Sequence, residues 1–383
     1  MADNNSLDKI REKINETDNS IAKLFEERME LSAQVAEEKR KSGGRIYNPK
    51  REREIVNRLA EGCDEKTAVY LKILYNTVFN LSRSYQAKLI YEESKTADRI
   101  KTALSETGKL LPQSAVVACQ GTEGAYSQQA AEKLFSNPGI MYFDSFRGVF
   151  NAVKSGLCAY GMLPLENSVF GSVTEVVDLM REYDFSIVKS VKTQINHCLM
   201  AKPGTDIKNL KEVYSHEQAI GQCDKYLEAM GGVKLVSFKN TAAAAKMVSE
   251  SERDDLAAVA SPACADIYGL KILNGSINNS ENNYTRFICI SKKTEIYPGA
   301  DKMSFIVSVP HKPGSLYNLI SKFAALGIDL TKIESRPIPG KDFEFMFYFE
   351  MTFSVYSDNL AALFAELEDF SEDFKFLGAY TEC

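Results

Sequence analysis

A chain of 383 residues exceeds the roughly 100 to 200 residues that one core usually serves, so two or three domains are expected. With 44% apolar and 26% charged residues, 22 Gly and 11 Pro, the composition excludes a fibrous or largely disordered chain. A formal net charge of −6 gives no general attraction for a phosphate backbone, so no nucleic-acid partner is expected. The start MADNNSLDKI is polar and lacks the regions of a signal peptide, and no run approaches the roughly 18 apolar residues of a membrane span. A cytoplasmic protein without a membrane partner is the expectation. The eight cysteines contain no C-x-x-C pair and lie in apolar runs such as AVVACQG, which reads as buried thiols. His197, His216 and His311 are too far apart for a zinc motif, so neither a metal nor any other cofactor is expected.

Residues 7 to about 41 place Leu7, Ile10, Ile14, Ile21, Leu24, Phe25, Leu31 and Val35 at steps near 3.5, a long amphipathic helix ended by Gly43 and Gly44. Asn48 then caps a helix with Pro49 at its first position, Ile55, Val56 and Leu59 inside and Gly62 at its end. A third helix begins near Glu65, with Ala68, Leu71, Leu74, Val78, Leu81, Tyr85 and Leu89 as its stripe. The polar tract from Glu92 to Lys109 reads as an extension of that helix or as a linker. Residues 1–95 thus form an all-helical zone, and 96–113 the linker or extension.

At about 100° per residue, Arg28 and Lys39 lie within about 20° of each other on the apolar face, in line with Leu24, Leu31 and Val35. Arg11 is offset from Arg28 by about 100° and does not easily reach the same pocket from the same helix. Arg51 and Glu52 open the second helix; Ser82 and Gln86 continue the stripe of the third. Each charge alone could be a solvated or snorkelling side chain. Together they suggest a buried site for a small anion carrying carboxylates, because an unpaired buried cation is costly.

The runs IREKINETDNSIAKLFEERMELSAQVAEEK, KREREIV and SRSYQ resemble the all-helical chorismate mutases, which rearrange chorismate to prephenate without a cofactor. The resemblance implies that Arg28, Arg51 and Arg11 hold carboxylates, that Lys39 and Gln86 donate to the ether oxygen, and that Glu52 and Ser82 hold the ring side. It also implies a dimer of entwined helices with Arg11 supplied by the partner chain. Asn48 departs from the Asp often found in similar enzymes.

From Ala115 the pattern changes to short apolar runs alternating with helical ones: AVVACQG, YSQQAAEKLF, IMYF, FRGVFNAVKSG and CAYGMLPL, then EVYS, AIGQCDKYLEAM, KLVSF, TAAAAKMVSE, LAAVAS and YTRFICIS. Two serial sets of βαβ units predict two lobes with a ligand cleft between them. GTEGAYS (121–127), ENSVFG (166–171) and SHEQ (215–218) each begin where a strand ends, and TRF (285–287) lies in the last strand. Together they resemble prephenate dehydratase across 114–292, with the bilobal fold of type II periplasmic binding proteins. The substrate loses CO₂ and water to give phenylpyruvate, which asks for neutral donors at the departing hydroxyl. Thr285, Asn167, Ser215 and Gln222 fit that demand, and Thr285 matches the family's catalytic threonine. Glu166 or His216 could be the proton source. Arg286 either ties the lobes, binds the side-chain carboxylate or forms a structural ion pair.

After Met303 come SFIVSV, SLYNLISKFAALG, IDLTKIES, FEFMFYFEMTF, NLAALFAELE and FKFLGAY, a βαββαβ order of ferredoxin-like type. Residues 300–383 resemble an ACT domain, an α+β regulatory fold that binds amino acids between paired copies. Its marks are PGSL, with Gly314, Ser315 and Leu316, and the string Glu334, Ser335, Arg336 and Pro337. What these resemblances imply together is a multidomain, bifunctional enzyme of phenylalanine biosynthesis, at least a homodimer, acting on chorismate and prephenate and inhibited by phenylalanine. The alternative is a non-catalytic, amino-acid-sensing dimeric binding protein.

Overall fold

The computed structural model describes residues 3–44, 46–90, 94–338, 340, 344–371 and 373–383. Glu92 and Phe343, each the start of a segment expected from the sequence, lie outside the described residues. The chain divides into two compact units, Met1–Arg99 with Ile306–Phe374, and Ile100–Phe305 with Lys375–Cys383.

In the first unit, α1 (Asp3–Ser42), α2 (Pro49–Glu61) and α3 (Glu65–Ile90) are the three expected helices. Asn48 caps α2 by accepting the Arg51 N–H at 3.1 Å, and Gly62 ends it. The polar tract after α3 is neither extension nor plain linker: α4 (Lys95–Glu106) is a helix of its own, started by Ser94, whose Oγ accepts from Ala97 N. The α1 stripe requires a correction. Leu24, Leu31 and Val35 are exposed within the chain, as are Leu7, Ile10, Ile14 and Ile21. The face packed on α3 carries Phe25, Arg28, Met29, Ser32, Ala36 and Lys39 instead. Similarly, Leu74, Tyr85 and Leu89 of α3 are exposed, while Asn80, Ser82, Arg83, Ser84 and Gln86 are buried.

The second unit runs β1 (Val116–Gln120), α5 (Tyr126–Leu134), β2 (Gly139–Phe143), α6 (Phe146–Ser155), β3 (Tyr160–Asn167), β4 (Gly171–Ser172), α7 (Thr174–Glu182) and β5 (Ser186–Gln194). It continues with β6 (Cys198–Ala201), β7 (Glu212–Ser215), α8 (Glu217–Gln222), α9 (Asp224–Met230), β8 (Lys234–Ser237), α10 (Thr241–Glu250), β9 (Leu256–Ala260), α11 (Ala263–Tyr268), β10 (Lys271–Asn274) and β11 (Tyr284–Ser291). Two sheets result, one in the order β2-β1-β3-β11-β5 with β4 beside β3, the other β10-β6-β9-β7-β8. The chain passes to the second sheet after β5 and returns through β11, which pairs antiparallel with both β3 and β5. This is the expected pair of α/β lobes. Six of the eight cysteines are buried as expected, whereas Cys63 is half-buried and Cys383 exposed.

The last elements are β12 (Lys302–Ser308), α12 (Ser315–Ala325), β13 (Asp329–Pro337), β14 (Phe345–Thr352), α13 (Leu360–Phe370) and β15 (Phe374–Tyr380), with strand order β13-β14-β12-β15. That is the ferredoxin-like βαββαβ arrangement. Helices α12 and α13 pack on α3 within the first unit. Asn80 Nδ2 donates to Ser321 Oγ at 2.9 Å, and Ser84 Oγ donates to the carboxylate of Glu366, which is ion-paired with buried Lys322.

Candidate active sites

The cluster on α1, α2 and α3 gathers five of the seven side chains read from the sequence. Arg28 donates to Ser82 Oγ and lies over the Phe79 ring at 5.6 Å. Lys39 Nζ donates to Gln86 Oε1 at 3.2 Å and to the Ile46 carbonyl at 2.7 Å. Glu52 is bound by Arg83, a residue not singled out in the sequence, whose guanidinium also reaches Asn80 and stacks over Tyr47 at 5.1 Å. Burial lowers the pKa of Arg28 and of Lys39, in the second case against the raising pull of Glu52. Two cations held in a half-buried site are preorganised for negative charge. Arg11 and Arg51 are not brought to this cluster: both are exposed, Arg11 pairing with Asp8 at 3.3 Å and Arg51 with Glu54 at 3.8 Å.

Between the two α/β lobes lies a cavity of about 470 Å³. Asn167 and Thr285 are cross-strand neighbours on β3 and β11 and both line it; Asn167 Nδ2 donates to Thr285 Oγ1 at 2.9 Å and to Asn283 Oδ1 at 2.8 Å. From the other lobe come His216 and Gln222, with buried His197 touching Gln222 Oε1 through Nε2 at 2.8 Å. The GTEGAYS turn contributes Gly121, Ala125, Tyr126 and Ser127. Gly124 is fixed by geometry, since its φ is +85° and a Cβ there would strike Cys264 Sγ at 2.8 Å.

Two expectations fail here, and one open alternative is decided. Glu166 does not line the cavity. Side chains alternate along β3, so with Asn167 turned to the cavity its neighbour points to the opposite face, where Glu166 pairs with Arg286 at 2.8 Å. Arg286 therefore belongs to an ion pair and not to a carboxylate site in the cavity. Ser215 is fully buried and donates to the Val259 carbonyl at 2.6 Å, so its hydroxyl supports the lobe without facing the cavity.

Comparison with known proteins follows this division. Residues 10–87 match the chorismate mutase type II family model and residues 117–295 the prephenate dehydratase model. A bifunctional chorismate mutase/prephenate dehydratase of Aquifex aeolicus (strain VF5) is 32% identical over 377 residues, covering 98% of this chain and 97% of the relative. The chain belongs to the bifunctional chorismate mutase/prephenate dehydratases. It carries both activities, acts on chorismate and prephenate, and serves phenylalanine biosynthesis. The alternative of a binding protein without turnover is thereby set aside. Arogenate dehydratase 2 of Petunia hybrida is 37% identical over 281 residues, 69% of this chain and 71% of the relative. The solved structure of prephenate dehydratase from Arthrobacter aurescens in complex with L-Phe aligns at TM-score 0.64 and 27% identity, over 70% of this chain and 89% of that one.

In this bifunctional enzyme no helix among the described residues is long and apolar enough to cross a membrane. The remaining residues read from the sequence lie in the C-terminal βαββαβ. Gly314 precedes α12 with φ +85°, followed by Ser315 and Leu316 in its first turn. Glu334, Ser335, Arg336 and Pro337 end β13, the edge strand of its sheet.

His197 gives the dehydratase lobes a pH signature. Burial pushes its pKa down to about 4, against the raising effect of the hydrogen bond its Nε2 makes to Gln222 Oε1. A histidine with a depressed folded-state pKa binds fewer protons than in the unfolded chain. Its contribution to stability is complete above the unfolded value of about 6.5 and is lost as pH falls towards 4. Between pH 7 and 4.5 the second unit is expected to lose about 2 to 3 kcal/mol from this residue. Denaturant titration of wild type and His197→Asn at both pH values checks this: the variant should show the smaller loss, and equal losses would assign the acid sensitivity elsewhere.

Proposed function

We propose that the mutase reaction is run by the α1–α3 cluster and the dehydratase reaction by the inter-lobe cavity, with phenylalanine as an inhibitor. Arg28 binds the carboxylates of chorismate together with the partner chain's copy of Arg11 and with Arg51, which gives up its exposed pairing with Glu54 to reach them. Lys39 and Gln86 donate to the ether oxygen, where charge builds as its C–O bond breaks, so they bind the transition state more strongly than the substrate. Ser82 and Glu52 flank the ring, with Arg83 holding the Glu52 carboxylate in place. The exposed apolar stripe of α1 supports a dimer of entwined helices, because seven large apolar side chains on one helix call for a cover.

For the dehydratase, the Asn167–Thr285 hydrogen bond inside the cavity carries the assignment. With Asn167 donating to its oxygen, Thr285 directs its own proton towards the departing ring hydroxyl. Gln222, its carbonyl occupied by His197, keeps its N–H groups for the substrate. Of Glu166 and His216, only His216 lines the cavity; its Nδ1 accepts the Gln218 N–H at 3.3 Å, leaving Nε2–H for the leaving group.

The βαββαβ of residues 300–383 is read as an ACT domain, its ligand held by backbone around Gly314, Ser315 and Leu316 and by the Glu334–Pro337 strand of a paired copy. The L-Phe complex of the Arthrobacter relative supports phenylalanine as that ligand. An effector shifts an equilibrium only by its difference in affinity for the two states, about 1 to 3 kcal/mol, so inhibition on the order of 5- to 150-fold is expected. Titration calorimetry with phenylalanine and the full chain, alongside dehydratase assays, tests this. Absence of binding heat with undiminished turnover would reject phenylalanine as the regulator.

A further inference from the structure

Thr285 of β11 stands opposite Asn167 of β3 and Thr193 of β5, and the next row pairs Arg286 with Glu166 and Lys192. The first row supplies the cavity with Asn167 and Thr285; the second faces the other side of the sheet. The β11–β3 register shifts between Arg286 and Phe287, so beside Thr285 the ladder is interrupted on the β3 side of β11 while it runs on with β5. Arg286, with a side chain only 4% exposed, is held by Glu166 through Nε at 2.8 Å and approached by Glu382 through Nη1 at 3.5 Å.

Glu382 belongs to neither strand. It follows β15, which crosses so close to β5 that a Cβ on Gly378 would overlap the Ile187 backbone. Beyond Gly378 the chain is tied to β5 by Ser190 N to Thr381 O at 3.1 Å, Cys383 N to Ser190 O at 2.8 Å and Lys192 N to Cys383 O at 3.0 Å. The Glu382 carboxylate then meets Lys192 at 2.8 Å and Lys302 at 3.2 Å as well as Arg286. Three cations thus converge on it, and Glu166 also pairs with Arg286. Without Glu382, the three cations would lose a carboxylate they share behind the Thr285 row, and Arg286 would lose one of its anchors.

We propose that Glu382 is a positioning residue for the dehydratase reaction, fixing Arg286 and, through the adjoining peptide, the Thr285 hydroxyl. This rests on the assignment of Thr285 as donor, which Thr285→Ala tests separately. Displacing a reacting group by a fraction of an ångström lowers turnover more than it weakens binding.

The test uses the full-length enzyme. Glu382→Gln should lower kcat for prephenate about tenfold, keep KM within about twofold and leave chorismate turnover unchanged, while Glu382→Asp recovers to within about threefold of wild type. An unchanged kcat in Glu382→Gln overturns the proposal. So does a fall in kcat accompanied by a collapsed thermal transition that Glu382→Asp does not reverse, since that describes a fold contact alone. If Glu382→Gln does not fold, Arg286→Lys, which keeps the charge but cannot span two carboxylates, is read the same way: kcat reduced at constant KM supports the proposal, and unchanged kcat overturns it.

Discussion

Arg28→Ala is expected to lower kcat/KM for chorismate about a thousandfold or more, while dehydration of added prephenate proceeds at the wild-type rate. The guanidinium is half-buried between Ser82 and the Phe79 ring, so it meets an incoming carboxylate in a medium that screens poorly. Loss of one preorganised donor at such a site typically costs a factor of about 10² to 10³, and a charged, desolvated one costs more. Coupled assays of chorismate loss and phenylpyruvate formation check both halves. A residual mutase rate within tenfold of wild type would remove Arg28 from the site. Mixing this variant with Arg11→Ala extends the test to the dimer: hybrid dimers regain one intact pocket if Arg11 serves the partner's site. No recovery despite demonstrated subunit exchange would confine each site to one chain.

The converse variant, Thr285→Ala, should lower dehydratase kcat by about 10² to 10³ and leave the mutase untouched. Thr285 lines the cavity, and its oxygen accepts from Asn167 while its own hydroxyl proton can be directed towards a ligand. Thr285→Ser retains that hydroxyl and should keep turnover within about tenfold of wild type; Thr285→Val, similar in size but without a donor, should resemble Ala. Steady-state assays on prephenate decide this. Equal activity of the Val and Thr enzymes would show that shape, and not donation, is what the position supplies.

Local chemistry was the most legible part of the sequence. Asn48, Pro49 and Gly62 bounded α2 correctly because caps are set by neighbouring residues. Period-2 and period-3.6 patterns found both lobes and the βαββαβ order. The failures came where a side chain's surroundings depend on distant segments. The stripe of α1 is legible as apolar, but which arc of the helix meets α3 is not: it is the one through Arg28, Ser32, Ala36 and Lys39. Arg83 lay inside the SRSYQ run but has meaning only beside Glu52, which α2 brings in. His197 carried no spacing signal, since Gln222 reaches it from across the second lobe. Glu166 was avoidable: strand alternation allows only one of Glu166 and Asn167 to face the cavity.

Because α12 and α13 pack on α3, the opening helices cannot finish their core until the end of the chain has been made. Asn80 and Ser84 wait for Ser321 and Glu366, 241 and 282 residues downstream. At roughly 5 to 20 residues per second, a ribosome takes on the order of 10 to 60 s over that stretch. During synthesis the face of α3 that α12 and α13 cover therefore stands open until those helices have been made. A truncated gene product ending before Ser315 would keep every mutase residue and still present an unfinished face of α3.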